Sequence, residues 1–138
     1  MKKLRYQHKT VMHKDVKNLA INLGLDIRIA PSLIEAKIRG GKLGKGEIAC
    51  YVGGGVIWLR DTMPYDKHDQ QLVILHEVGH AIMDYFFNRR SKTHITRKMH
   101  ELKANAAAVT IASLLRLPMS VRIIKDFAKF TKVKGIRL

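Results

Sequence analysis

A chain of 138 residues, 46% of them hydrophobic, can bury one sizeable core, so a single domain over residues 1–138 is expected. Its lone cysteine excludes an internal disulfide, and no uncharged apolar run approaches the roughly 18 residues of a membrane-spanning helix, so no membrane partner is expected. Lysine and arginine number 26 against 11 acidic residues, a net charge of +15 that draws polyanions and acidic proteins from a distance.

In chain order, the basic start Met1 to Arg5 leads into a stretch broken by Gln7, His8 and Lys9, which argues against a secretory signal and for a cytoplasmic location. A helix is expected from Val16 to Leu23, then, after Gly24, a strand from Leu25 to Ile29. The glycines between Gly40 and Gly46 mark a loop; the spacing lacks the Gly-x-x-x-x-Gly-Lys-Ser/Thr pattern of a phosphate cradle. Cys50 to Val52, the triplet Gly53 to Gly55 and Val56 to Leu59 read as strand, turn and strand. A groove edge beside the strand Val56 to Leu59 is a place where an extended peptide can pair.

Asp69 to Leu75 contains no Gly or Pro, and its apolar residues run on into Val78, Ala81, Ile82 and Tyr85 at helical spacing. A basic loop from Asn88 to His94 separates this helix from a second one, which starts near Arg97, continues through Leu115 and ends near Pro118. A short helix in the tail closes the chain. The mixture predicts an α+β fold: a short mixed or antiparallel sheet packed against two helices. There is no internal repeat and no low-complexity segment.

The first of these helices carries His76, Glu77 and His80 in the His-Glu-x-x-His arrangement of zinc hydrolases. Residues four apart lie about 40° apart in helical projection, so both imidazoles emerge on one face and can share one Zn²⁺. Glu77 then stands beside the ion, where its carboxylate can act as general base on a water whose pKa the ion lowers towards about 7. A lone histidine on a helix is more often a surface or hydrogen-bonded core residue. Two of them four apart with a glutamate between, inside an apolar run, change that balance, because a buried charge needs a partner.

A catalytic zinc site usually takes three protein ligands. Glu101 is the only glutamate after Glu77, and it opens the alanine-rich second helix, whose small side chains allow the close approach that a short ligand needs. Asn105, one turn on, can accept a ring N–H from a ligating histidine. His94 and His100 are rival ligands. The metzincin spacing is absent, since Met83 and Phe86 stand where a Gly and a His would be. Asp84 is a further rival, but it falls about 80° around the helix from His76.

These residues resemble the ImmA/IrrE-type zinc peptidases, in which a His-Glu-x-Gly-His helix is followed by a helix reading Glu-x-Glu-Ala-Asn-x-Phe-Ala-Ala-x-Leu-Leu-x-Pro. The matching positions here are His76 to His80, then Glu101, Ala104 and Asn105, Ala107 and Ala108, and Leu114, Leu115 and Pro118. The N-terminal helix, the strand after a Leu-Gly pair and the hairpin are also similar, so the likeness covers most of the chain. Lys103 stands where the family commonly has a second acid, and Ala106 and Ala107 replace its Phe-Ala arrangement, changes that bear on packing and on the groove.

The resemblance implies a small zincin-like domain and a zinc-dependent endopeptidase, with Zn²⁺ on His76, His80 and Glu101, Glu77 as base and then proton donor, and Asn105 behind the ligands. It also implies a regulatory protein substrate, typically a helix-turn-helix repressor of a phage or mobile element. Tyr85, His94, Arg97 and His100 are unranked candidates for stabilising the oxyanion. Two other readings stand beside it: a non-catalytic zinc-containing interaction module, antitoxin-like or regulator-binding, and a protease acting on DNA-bound proteins, which the charge favours. No helix-turn-helix or zinc-finger pattern points to sequence-specific DNA reading.

Overall fold

The computed structural model describes residues 8–30, 48–85, 97–123 and 125, the side chains of Arg97 and Lys98 excepted. Along the chain lie β1 (His8–Lys9), α1 (Lys14–Asn22), β2 (Asp26–Ala30), β3 (Ala49–Tyr51), β4 (Val56–Arg60), β5 (Thr62–Met63), α2 (Asp69–Met83) and α3 (Arg97–Leu114). The fold is mixed α+β. The loop expected at Gly40 to Gly46, the basic loop from Asn88 to His94 and the tail from Phe127 lie outside the described residues.

The main sheet has three strands in the order β2-β4-β3. β2 runs parallel to β4 with Ile27 beside Ile57 and Ile29 beside Leu59, whereas β3 is antiparallel to β4 with Cys50 opposite Trp58. β1 and β5 form a separate antiparallel pair. The alternation of β4 explains its place: Ile57 and Leu59 point into the core and are fully buried. Trp58 points to the other face, where the Arg28 guanidinium lies 5.7 Å from its ring centroid.

The centrality of β4 corrects one expectation. Both of its edges are taken, by β2 and β3, so no peptide can pair along Val56 to Leu59. Among the described residues the strand left with an unpaired edge near α2 is β3. The expected turn between these strands is present: Gly53, Gly54 and Gly55 all have φ between 61° and 88°, a left-handed run that side chains with a Cβ resist.

α2 is buried on nearly every side, from Asp69 to Met83, because it lies between the sheet and α3. The core joins Leu72, Val73, Ile74, Leu75 and Val78 of α2 to Val16, Ile57, Leu59 and Met63, and to Ala108 and Ala112 of α3. Each large aliphatic side chain fully removed from water contributes about 1.5–3 kcal/mol. An all-round apolar helix is what such a central position demands.

Polar residues at the start of α2 are buried but satisfied. Gln70 accepts from the Val11 amide and donates to the carbonyls of Lys9 and Tyr65, while Gln71 accepts from the His13 amide and donates to those of Val11 and Lys67. The two amides thus act as strand partners for the segment between β1 and α1. Asp66 Oδ1 accepts from the amides of His68 and Asp69 and closes the helix start.

α3 ends in two bonds, Leu117 N–H to Ala112 C=O and Arg116 N–H to Ser113 C=O, with Arg116 at φ 58°. This is the pattern of a Schellman cap, with the apolar pair Leu117 and Ala112 buried beneath it. The stop expected near Pro118 is therefore found, set by the residues just before the proline. Among the described residues no helix is long and apolar enough to cross a membrane.

Candidate metal centre

The contact between α2 and α3 is close because Gly79 has no side chain there. A Cβ built on Gly79 would stand 2.9 Å from the Ala104 carbonyl oxygen, 3.1 Å from Ala104 Cα and 3.3 Å from the Ala107 methyl. Ala104 and Ala108 are fully buried along the same seam. The small residues of α3 therefore do what was expected of them, and their partner on α2 is the glycine inside the His-Glu-x-x-His run.

Across this seam Glu101 meets both histidines. Its Oε1 lies 2.9 Å from His76 Nε2 and its Oε2 lies 3.2 Å from His80 Nε2. The two Nε2 atoms are 3.2 Å apart. Among the described residues these three form the group of side chains that can hold a metal ion, and each is partly buried. Asn105, buried on α3, places Oδ1 on His76 Nδ1 at 2.5 Å, so Nδ1 carries the proton and Nε2 is the ring atom turned to the group.

Glu77 stands behind the donors. Its Oε1 accepts from the Tyr51 main-chain N–H at 2.8 Å, and its Oε2 is 3.9 Å from His76 Nε2. One carboxylate oxygen is held by the edge strand and the other faces the histidines. Tyr51 was not foreseen, and no residue-type signal could have revealed it, because the group that acts is a backbone amide.

Burial pushes the Glu77 carboxyl above its ordinary range, against the lowering influence of both imidazoles and the Tyr51 amide. For His76, burial works against the charged form, yet the hydrogen bond to Glu101 and the charges of Glu77 and Glu101 outweigh it and raise the pKa. Hydrogen bonds from His76, then His80, hold the Glu101 carboxyl far below the usual carboxylate range. The site thus contains one carboxyl that resists ionisation and one that is kept ionised.

The rivals for the third position that lie among the described residues are placed elsewhere. The Asp84 carboxylate accepts from the Tyr51 hydroxyl at 2.7 Å and is not part of the donor group. His100, on α3, is also outside that group. His94 and the side chain of Arg97 lie outside the described residues, and Tyr85 is 74% exposed.

Comparison with protein-family models, with curated proteins and with solved structures returns no match to this chain. The reading of the site therefore rests on its own geometry and on the sequence motifs.

Proposed function

We propose that this chain is a zinc-dependent endopeptidase with a zincin-like site, similar to the ImmA/IrrE-type peptidases, and that it cleaves a regulatory protein in the cytoplasm. The observation that carries the reading is the convergence of His76 Nε2 and His80 Nε2, 3.2 Å apart, on the Glu101 carboxylate, with Oε1 2.9 Å from the first and Oε2 3.2 Å from the second, and with Glu77 Oε2 turned towards them. Ligands about 2.0–2.1 Å from a tetrahedral zinc ion are about 3.3 Å apart, so the separations fit, and two imidazoles with one carboxylate suit Zn²⁺.

An ion held by these residues would polarise a peptide carbonyl and acidify a water at neutral pH. The chain supplies the proton transfers. Glu77 Oε2 takes the proton of the attacking water, a step helped by the burial that makes its carboxylate more basic, and then passes it to the leaving amide nitrogen. Asn105 keeps the His76 ring in the tautomer that offers Nε2.

A peptide is delivered along β3. The residues along β3 that face β4 in hydrogen-bonding register are Ile48, Cys50 and Val52, opposite Arg60, Trp58 and Val56, so the main-chain groups of Ala49 point away from the sheet, next to the Tyr51 amide on Glu77. An extended substrate paired there runs past the donor group. The substrate class, a helix-turn-helix repressor of a phage or mobile element, follows from the resemblance, and the net charge of +15 favours encounter with a target bound to DNA.

The decisive experiment incubates zinc-loaded protein and a Glu77→Ala variant with helix-turn-helix repressors of phages and mobile elements, free and on their operators. Cleavage by the former alone supports the reading. Equal regulatory activity of both proteins in cells overturns it in favour of a non-catalytic zinc-containing module, and absence of zinc from protein purified without chelator overturns both.

A further inference from the structure

Tyr51 touches α2 twice, through two different atoms. Its main-chain N–H donates to Glu77 Oε1 at 2.8 Å, and its hydroxyl donates to Asp84 Oδ2 at 2.7 Å. Asp84 caps the helix about two turns beyond Glu77, so one residue of the edge strand bridges the carboxylate beside the donor group and the end of the helix. The Gly55 amide, in the turn that follows β3, reaches the same hydroxyl at 3.4 Å.

The two bonds differ in how they can be maintained. The amide belongs to a three-residue edge strand, and among the described residues β3 is paired on its other side with β4 alone. The hydroxyl bond fixes the distance between β3 and the far end of α2. Tyr51 is partly buried and packs against the core, so the ring is a rigid strut between the two contacts.

We propose that the Tyr51 hydroxyl and Asp84 form a positioning pair that clamps β3 to α2, so that the Tyr51 amide stays on Glu77 Oε1 and leaves Oε2 facing the histidines. Neither side chain touches the reacting atoms. A carboxylate without this restraint rotates about its terminal torsion, and neither oxygen is then held towards the histidines. The pair therefore fixes the orientation of the Glu77 carboxylate, with one of its two equivalent oxygens on the amide and the other presented as the base. This inference rests on the role proposed for Glu77, but its structural content is independent of turnover.

The test is amide hydrogen exchange at position 51, measured by NMR on the full chain, in wild type, Tyr51→Phe, Asp84→Ala, Asp84→Asn, Glu77→Ala and the Tyr51→Phe/Glu77→Ala double variant. Loss of a hydrogen bond that holds this amide is expected to speed its exchange about tenfold in Tyr51→Phe and in Asp84→Ala, with Ile57 and Leu59 of the central strand unchanged. Asp84→Asn keeps an acceptor for the hydroxyl and is expected to restore protection. In the double variant, exchange is expected to equal that of Glu77→Ala alone, because the hydroxyl acts through the same bond.

Additive effects, unchanged exchange in Tyr51→Phe, or a parallel rise at Ile57 and Leu59 would overturn the proposal. Co²⁺ binding, followed by its d–d absorption, is expected to stay within about twofold in Tyr51→Phe, since the donor group is untouched. A loss of Co²⁺ affinity would instead make the pair a general support of the helix. No arm of the experiment needs a substrate, so failure of the clamp and failure of the peptidase reading give different results.

Discussion

Gly79 and Ala104 meet so closely that a single added methyl group would stand 2.9 Å from the Ala104 carbonyl oxygen. That separation sets how far Glu101, one turn earlier on α3, must reach to contact His76 and His80.

Gly79→Ala should therefore reverse the usual helix ranking. Alanine is favoured over glycine inside a helix by about 1 kcal/mol, but here the obstacle is backbone, and over-packing of this kind costs about 1–3 kcal/mol. Urea denaturation should show a less stable protein, and zinc affinity should fall with the displaced Glu101. A more stable variant with unchanged affinity would mean that the helices part without consequence.

Metal dependence should grow with pH. The raised pKa of His76 means that its protonated form, paired with Glu101, contributes stability fully present below the unfolded-state value and lost as pH rises through the folded-state value. Metal binding displaces that proton. The depressed Glu101 carboxyl loses its contribution only as pH falls through its folded-state value, far on the acid side. The Tm difference between zinc-loaded and metal-stripped protein should therefore widen from about pH 6 to pH 8, and Glu101→Ala should abolish it. A difference that is constant over this range would count against the pairing.

Gln70→Leu keeps the volume of a buried side chain and removes its hydrogen bonds. The Val11 amide and the carbonyls of Lys9 and Tyr65 then lose their partner, at about 1–3 kcal/mol for each group left buried and unsatisfied. Stability should drop by at least about 2 kcal/mol, with faster amide exchange at Val11 as the local signature. A neutral substitution would show that water replaces the glutamine without cost.

Arg116→Gly should stabilise the protein. A residue with a Cβ at φ 58° costs about 1 kcal/mol or more, and glycine returns part of that gain through the entropy of the unfolded chain. The expected net gain is roughly 0.5–1 kcal/mol, read as a rise in Tm with no change in metal binding.

Much of the donor group was legible because a helix converts sequence spacing into geometry: His76, His80 and Glu77 need only a regular helix to come together. Glu101 was legible for a weaker reason, the shortage of other glutamates, joined to a run of alanines that signals close packing. Asn105 followed from Glu101 by one turn. What escaped was what depends on non-local pairing. Nothing in Val56 to Leu59 distinguishes a central strand from an edge strand, since both read as a short apolar run, and the order β2-β4-β3 is decided by contacts far apart in sequence. Tyr51 escaped because its amide is common to every residue but proline. Asp84 was a rival ligand set back by its angle around the helix, and it accepts a hydrogen bond from a hydroxyl on another element.

The nearly complete burial of α2 has a consequence for how such a chain can change over time. Chemistry in many folds is carried on peripheral loops, where substitutions alter activity and leave the scaffold intact. Here the helix with the two histidines is also the one around which the sheet and α3 assemble. Variation in function must then come from the surrounding strands, because drift along this helix would erase the fold together with the site.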